Sequence, residues 1–240
     1  MPKKPRIIIS LGGSILVPGP QAKDANAPTW VDQGFLSRFT LLVHELTQTG
    51  YRFVITVGGG KVNSHYVNVL RQMHVGSDLL LDTVGIASTH FNAALLWAAL
   101  SPNKLVYRQI MANPTMPIRT TKPVIVGGGW KPGCSTDKDA VLWAITTGAD
   151  TIINASNIEY VYDKDPRQFD DAQRIVEINW TDFRKIVGTK WEARMSAPFD
   201  PIAASLAQKH NLKVLVLNGR DIPNLRAAIQ GQHFIGTTIS

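Results

Sequence analysis

The sequence predicts an α/β fold, in which a mainly parallel sheet is covered by helices on both faces. Five short apolar runs, rich in β-branched residues, each stop at glycine, asparagine or serine and lead into a helix-like stretch. The runs show no alternation of apolar and polar residues, which is typical of strands buried on both faces. In this architecture ligands bind outside the carboxyl ends of the strands.

The elements follow in chain order. Strands are predicted at Arg6–Leu11, Phe53–Val57, Pro123–Val126, Thr151–Ile153 and Val214–Leu217. Helices are predicted at Phe35–Thr49, Val62–Met73, Ile86–Leu100, Lys138–Thr147, Asp182–Val187, Ile202–His210 and Asn224–Ile229. The proline-rich, polar segment Val17–Trp30 predicts a surface loop or a small lid. Pro114–Lys122 predicts a connector, and Pro166 predicts that the charged segment Asp163–Arg174 is a loop.

Composition narrows the class of protein. With 240 residues, 44% of them hydrophobic, one large domain is expected. The basic start passes directly into a strand and we find no run of about 18 apolar residues, so we expect a soluble protein without a cleaved signal or a membrane span. Cys134 is the only cysteine, which favours the cytoplasm and excludes an intrachain disulfide. The net charge of +7 favours anionic ligands, but no basic block interleaved with aromatics predicts nucleic-acid binding.

Residues 127–141, GGGWKPGCSTDKDAV, form the strongest single motif. Glycines let the backbone approach a ligand, hydroxyls and amides bind phosphate oxygens, and a carboxylate at a helix start can hold a metal or orient a cation. This pattern predicts a loop for an anionic substrate. The alternative is an ordinary strand-to-helix turn with Ser135 or Thr136 as the N-cap.

Seven segments together carry a resemblance to a known family: 10-SLGGSIL-16, 57-VGGGKVNSHY-66, 82-DTVGIASTHFNAALL-96, 132-PGCSTDKDAVL-142, 153-INASNIEYVYDKDP-166, 199-FDPIAASLA-207 and 231-GQHFIGTTI-239. In this order they resemble the amino acid kinase family, and within it the uridylate kinases of archaeal type. The resemblance implies a three-layer α/β/α sandwich that forms a single domain over residues 1–240. Its acceptor-binding part would span about 1–150 and its ATP-binding part about 151–240. The implied reaction transfers the γ-phosphoryl group of ATP to UMP with Mg²⁺, in a homo-oligomer that is commonly a hexamer.

The resemblance also implies roles for individual residues. The implied ATP-binding residues are Gly12, Gly13, Ser14, Gly60, Ser156, Tyr162, Lys164 and Asp165. The implied UMP-binding residues are Gly59, Asp82, Trp130, Lys131, Pro132, Gly133, Cys134, Ser135 and Thr136. Gly13, Ser14 and Asp137 would lie at the reaction centre, and no protein residue is assigned as a metal ligand. The alternatives are turns for the glycines, a helix-start cap for Asp82 and a core aromatic for Tyr162.

The chain departs from the family pattern at several positions. Ser10 stands where bacterial uridylate kinases carry a lysine, and Ser64 stands where the family has a phosphate-binding arginine. Serine supplies neither the charge nor the bidentate fork of arginine. The candidates to compensate are Lys61, His65, Lys131 and Lys164, with Lys131 as the predicted catalytic cation. The alternative for each lysine is a solvated surface group. Glu159-Tyr160 and Lys138-Asp139 are further departures, which bear on the identity of the acceptor.

Other functions stay open at this point. A relative in the same family could phosphorylate an amino-acid carboxylate, carbamate or isopentenyl phosphate, and His65 or His90 keeps the last option open. A nucleotide- or oxyanion-binding module without turnover is an alternative from a different class, favoured by Ser10 and Ser64. A nicotinamide oxidoreductase is disfavoured, because no glycine run gives GxGxxG followed by an acid about 20 residues later. The broad apolar surface of Ile86–Leu100 predicts either core packing or a subunit interface.

Overall fold

A seven-stranded sheet forms the centre of the molecule. The structure, a computed structural model, describes residues 4, 6–20, 30–188 and 197–240. The strands are β1 (Arg6–Leu11), β2 (Arg52–Val57), β3 (Val124–Gly127), β4 (Thr151–Ser156), β5 (Val161–Tyr162), β6 (Arg174–Ile175), β7 (Glu177–Ile178), β8 (Lys213–Asn218) and β9 (Thr237–Ile239). The order in the sheet is β3-β2-β1-β4-β8-β9-β7, and β5 pairs with β6 in a separate hairpin. All five predicted strands lie side by side in parallel, while β9 runs antiparallel to β8.

Helices cover both faces of this sheet. They are α1 (Gly13–Leu16), α2 (Gln33–Gln48), α3 (Gly60–Gln72), α4 (Asp78–Leu100), α5 (Thr136–Thr147), α6 (Trp180–Val187), α7 (Pro201–Lys209) and α8 (Ile222–Ile229). Successive residues of a strand face opposite sides of the sheet, so Ile9 packs with α2, α4 and α8, whereas Ile8 packs with α5, α6 and α7. Two separate cores result, and the predicted three-layer α/β/α architecture is confirmed.

Several predicted boundaries differ from the observed ones. Helix α4 begins at Asp78, eight residues before the predicted start, so Asp82 lies inside the helix and the helix-start cap considered for it is wrong. Helix α6 begins at Trp180, because the Asn179 side chain accepts a hydrogen bond from Asp182 N and caps the helix there. Of the predicted loop Val17–Trp30, residues 21–29 lie outside the described part of the chain.

Helix α4 is the longest helix that the structure describes, with 23 residues. The segment Asp78–Asn103 reaches a mean hydropathy of 1.3 over 18 residues, so by length and composition alone it could cross a membrane. We found no fully apolar run of that length in the sequence, because Ser88, Thr89 and Asn92 interrupt it. All three polar residues are buried, and the helix packs against β2 and β3. These contacts are those of a core helix with one exposed side.

Candidate active site

The carboxyl ends of the five parallel strands β3, β2, β1, β4 and β8 lie along one edge of the sheet. There β1 leads to Gly12 and Gly13, β2 leads to three glycines, and β3 ends at Gly127 in the GGG run. The first two turns touch through bare backbone, since a Cβ atom on Gly13 would lie 2.2 Å from both Gly58 O and Gly60 N. The amides of Gly12 and Gly58 are already used, because they donate to Ala155 O and Leu11 O. Gly13 and Ser14, at the start of α1, have amides without an intrahelical acceptor.

Two pockets open at this edge. The small pocket encloses about 220 Å³ between α3, α4 and the residues that follow β3, and the large pocket encloses about 700 Å³ beside β1, β4 and α6. Thr136, Asp137 and Ala197 line both pockets. The start of α5 is therefore a shared wall, against which two ligands can meet end to end.

Most of the residues implied by the resemblance line one of these pockets. In the small pocket lie Gly59, Asp82, Cys134, Ser135, Thr136 and Asp137. In the large pocket lie Gly12, Gly13, Ser156, Tyr162, Lys164 and Asp165, together with Thr136 and Asp137. The residues that line neither pocket are Ser14, Gly60, Trp130, Lys131, Pro132 and Gly133. The structure thus gathers the predicted site in two groups but leaves the first half of the 130–136 loop outside both.

Asp137 stands at the junction of the two pockets. Its Oδ1 accepts a hydrogen bond from Ser10 Oγ at 3.0 Å, and its Oδ2 accepts one from Asp200 N at 3.2 Å. The pKa of Asp137 is raised to about 6, because removal from solvent and the negative charge of Asp200 outweigh the lowering effect of the hydrogen bonds from Ser10 and from Asp200 N. Ser10, at the position of the bacterial lysine, is thus a buried partner of this carboxylate rather than a cation.

The junction is suited to a hard cation. Asp137 and Asp200 both line the small pocket, and carboxylate oxygens are the protein ligands that Mg²⁺ prefers. These two carboxylates are neighbours, the pKa of Asp137 is raised, and within the described residues neither of them forms an ion pair. Within the described residues no group of three or more His, Cys, Asp or Glu side chains could hold a metal ion. One or two carboxylates that act together with substrate phosphates are the usual arrangement for Mg²⁺, so the residues present fit this ion.

Side chains from two helices hold the 128–136 loop. From α4, Thr89 Oγ1 accepts from Gly129 N at 2.7 Å, His90 Nε2 lies 2.9 Å from Gly129 O, and Asp82 Oδ2 accepts from Gly133 N at 2.9 Å. From α5, Asp139 Oδ2 accepts from Trp130 N at 3.0 Å. The loop that walls the small pocket is therefore fixed at four points. Asp82, which was predicted as a UMP-binding residue or a helix-start cap, is one of these anchors.

Asp139 is fully buried and lines neither pocket. The pKa of Asp139 is raised to about 7, because burial, with a smaller contribution from the charge of Asp137, outweighs the lowering effect of the hydrogen bond from Trp130 N and of the Lys138 charge. Its Oδ1 has no hydrogen-bond partner among the described residues. Asp139, one of the two residues by which the chain departs from the family pattern here, therefore holds the loop through Trp130 N and does not contribute to the surface of either pocket.

The predicted compensating cations lie in different places. Lys131 is exposed, and its Nζ lies 4.0 Å from the centroid of the Trp130 ring, to which it makes a cation–π contact. Lys164 lines the large pocket and pairs with Asp171 at 2.6 Å. The His65 ring packs against the rings of Trp30 and Tyr66. Neither His65 nor His90 lines a pocket, so the feature that kept isopentenyl phosphate open as an acceptor is not at the site.

Sequence reasoning missed several pocket residues. Asn63, Gly85, Ile86 and Thr89 line the small pocket from α3 and α4, and Asp200 lines it from the start of α7. Asp200 caps α7, since its Oδ1 accepts from Ala203 N at 2.8 Å. The Asp-Pro pair at positions 200 and 201 is a helix-start signal that could have drawn attention to this residue.

Comparisons with known proteins agree with this architecture. Residues 5–218 match the model of the amino acid kinase family. The chain is 30% identical over 240 residues to a uridylate kinase of Hyperthermus butylicus, with 100% of both chains covered. It is 31% identical to a uridylate kinase of Pyrococcus abyssi, covering 98% of this chain and 99% of that one. The crystal structure of uridylate kinase from Archaeoglobus fulgidus superposes with a TM-score of 0.79 at 26% identity, covering 98% of this chain and 100% of the other. The chain belongs to the amino acid kinase family.

Proposed function

We propose that this protein transfers the γ-phosphoryl group of ATP to UMP, giving ADP and UDP, and thereby serves pyrimidine nucleotide synthesis. The observation that carries the proposal is the pair of pockets that share Thr136 and Asp137 at the carboxyl edge of the sheet. Two nucleotides placed in these pockets meet with their phosphates at one carboxylate. Relatives of this length that are uridylate kinases support the choice of acceptor.

The sizes and linings of the pockets suggest which nucleotide occupies each. The large pocket offers Ile158, Tyr160, Tyr162 and Val187 as an apolar and aromatic surface for adenine, and it reaches the glycine turn after β1. The small pocket offers Asp82 for the ribose hydroxyls, the hydroxyl-bearing end of the 130–136 loop for the base, and Gly59 for the phosphate. We therefore assign ATP to the large pocket and UMP to the small one.

The chemistry asks the protein mainly for positioning. The phosphate of UMP is already ionised near neutral pH, so no general base is required. Phosphoryl transfer depends on alignment and on stabilisation of charge on the oxygens in flight. The backbone contact between the turns at Gly13 and Gly58 fixes the distance between the two nucleotides. Ser10 holds Asp137 in place, and Asp137 with Asp200 would hold Mg²⁺, which supplies neutralisation of phosphate charge when bound. The catalytic role predicted for Lys131 stays a prediction, and its exposed position gives it no support.

A panel of nucleoside monophosphates with ATP and Mg²⁺ tests this function through ADP release. We expect UMP to be the preferred acceptor, and we expect Asp137→Asn to lose about a hundredfold or more in kcat while it keeps its fold. A different preferred monophosphate would reject UMP but keep the reaction class. ATP and UMP binding with no ADP formed would favour the alternative of a nucleotide-binding module without turnover.

An exposed apolar surface supports a homo-oligomer. It is formed by Tyr66, Val69 and Met73 at α3 and by Leu79, Leu80 and Phe91 on α4, and Phe91 is 75% exposed. Leu80 and Phe91 are eleven residues apart, about three helical turns, and so share a face of α4. We propose that a second copy of the chain covers this surface, and that the assembly is a hexamer, as the resemblance implies. Light scattering of wild type and Phe91→Glu tests this, since the glutamate is expected to reduce the mass of the assembly.

We further propose that the chain acts as one cytoplasmic domain, with the acceptor-binding part at about 1–150 and the ATP-binding part at about 151–240. The small pocket draws most of its lining from residues 59–137, and the large pocket draws most of its lining from residues 154–198, which supports this division. The division is not complete, because the small pocket is also lined by Ala197, Asp200 and Pro201. The large pocket is also lined by six residues of the first part, which are Ser10, Gly12, Gly13, Gly58, Thr136 and Asp137. Separate expression of the two parts is expected to give no folded protein, because β1 and β4 are neighbours in one sheet.

A further inference from the structure

The first turn of α3 places Asn63 in the wall of the small pocket. Its carboxamide lies between two glycines. A Cβ atom on Gly59 would be 3.0 Å from Asn63 Nδ2, and a Cβ atom on Gly85 would be 3.2 Å from Asn63 Oδ1. The missing side chains at these two positions create the space that the amide occupies. The nitrogen end of the amide therefore lies next to the glycine turn after β2, and the oxygen end lies next to α4.

The amide of Asn63 is not fully bonded. Its Oδ1 is buried and has no hydrogen-bond partner among the residues that the structure describes. A buried polar atom without a hydrogen-bond partner lowers stability. We therefore expect the Asn63 amide to form additional hydrogen bonds when a ligand fills the pocket. The nitrogen and oxygen ends can exchange by a flip of the amide, so either end can face the ligand.

The described lining of the small pocket is acidic, although the proposed ligand is an anion. The acceptor phosphate is an anion, yet the described lining of the small pocket contains no Lys, Arg or His and contains Asp82, Asp137 and Asp200. Ser64, at the position of the family's arginine, does not line the pocket. Its neighbour Asn63 does. The amide nitrogen of Asn63 is a neutral donor placed beside Gly59, the N-cap of α3, where the helix dipole favours an anion.

We propose that Asn63 is an acceptor-binding residue whose Nδ2 donates a hydrogen bond to a phosphate oxygen of the nucleoside monophosphate. The proposal rests on the proposed function. In this chain the donor is a short neutral side chain, and the described lining of the small pocket offers no Lys, Arg or His for the same contact. The donor reaches the phosphate because the glycine at position 59 leaves its approach open.

The test compares three variants with wild type in the presence of Mg²⁺, with UMP varied at saturating ATP and, in a second series, ATP varied at saturating UMP. We expect Asn63→Ala to raise KM for UMP about tenfold or more, the loss typical of a hydrogen bond to a charged group, without a change in KM for ATP. Asn63→Asp, which keeps the shape, is expected to raise it further because a carboxylate cannot donate and adds negative charge beside the phosphate. Ser64→Ala, the adjacent control outside the pocket, should keep both KM values.

Each outcome decides the proposal. An Asn63→Ala enzyme with a KM for UMP within twofold of wild type would overturn it. So would an Asn63→Asp enzyme that binds UMP as well as wild type, because the ligand would then use the oxygen end of the amide. A wild-type protein that forms no ADP from ATP and UMP would defeat the proposed function instead. Calorimetric binding of UMP to wild type and Asn63→Ala would then still test the contact. Thermal melting of each variant confirms that it folds.

Discussion

Replacing the buried carboxylate of Asp139 by an asparagine amide should remove a large part of the pH dependence of stability. Asp139 is fully buried, and burial raises its pKa from the ordinary 3.8 to about 7. The folded protein therefore binds the proton more tightly than the unfolded chain does. Stability from this group is fully present below pH 3.8 and is lost as the pH rises through 7.

The magnitude follows from the two pKa values. A difference of about 3 between them corresponds to roughly 4 kcal/mol, at about 1.4 kcal/mol for each unit of pKa. Between about pH 5 and about pH 8 the wild type is expected to lose roughly 3 kcal/mol of this. At the lower pH the carboxyl group is protonated in the folded protein and ionised in the unfolded chain, whereas at the higher pH it is ionised in both. In the Asp139→Asn variant the new amide oxygen can still accept the hydrogen bond from Trp130 N, but the side chain does not titrate.

Urea denaturation of wild type and Asp139→Asn at several pH values, without Mg²⁺ or nucleotide, measures the effect. The informative quantity is the change in the difference between the two proteins, because Asp137 titrates in both and the new amide group has its own constant cost. Asp170→Asn, at an exposed site, is the matched control and should run parallel to wild type. Parallel curves for wild type and Asp139→Asn would refute the reasoning.

Three further predictions concern the site and its support. Asp82→Ala is expected to raise KM for UMP about tenfold while KM for ATP stays constant, because the variant loses a ligand contact and the anchor of Gly133. Alkylation of Cys134, the only cysteine, is expected to be slowed by UMP and not by ATP, and to be slow near neutral pH because burial raises its thiol pKa. Arg220→Gln should lower the free energy of unfolding by about 1–2 kcal/mol in urea titrations, since the arginine pairs with Asp32 at 2.7 Å.

Each of these has a clear contrary result. An Asp82→Ala enzyme with unchanged KM for UMP would show that this carboxylate is only a loop anchor. Equal alkylation rates with and without UMP would place the acceptor away from the thiol. A Ser37→Ala variant, at an exposed position of α2, is the control for Arg220→Gln. If both changes cost the same, the ion pair to Asp32 contributes nothing to stability.

The central strands could be predicted because each is a continuous apolar run that ends in a turn signal. The predicted β1 is confirmed residue for residue, and α5 differs from its prediction only at its first turn. The two- and three-residue strands β5, β6, β7 and β9 could not be predicted in this way. Their local sequences are too short to show a period, and they form only through pairing with distant parts of the chain.

Some residues of the site could likewise be predicted from the sequence, and others could not. Gly12, Gly13 and Asp137 follow strands or start helices, so position along the chain indicates their place at the sheet edge. Asn63 lies in the first turn of α3 and Asp200 caps α7, but whether their side chains face the small pocket depends on tertiary packing. Lys131 was predicted at the reaction centre from its place in the loop. The Trp130 ring offers its ammonium group an alternative partner outside the pocket, and sequence spacing gives no sign of this.

Two neighbouring residues of helix α4 lie in different environments, one at the pocket loop and one at the exposed surface. His90 meets Gly129 of the loop that walls the small pocket, and Phe91, the next residue, points outward as the most exposed large apolar side chain in the described chain. A second subunit seated on Phe91 would press on the same helical turn that secures Gly129. Dissociation of the assembly on dilution would then lower the affinity for UMP more than the affinity for ATP. The specific activity would therefore depend on enzyme concentration, even with both nucleotides in excess of the protein.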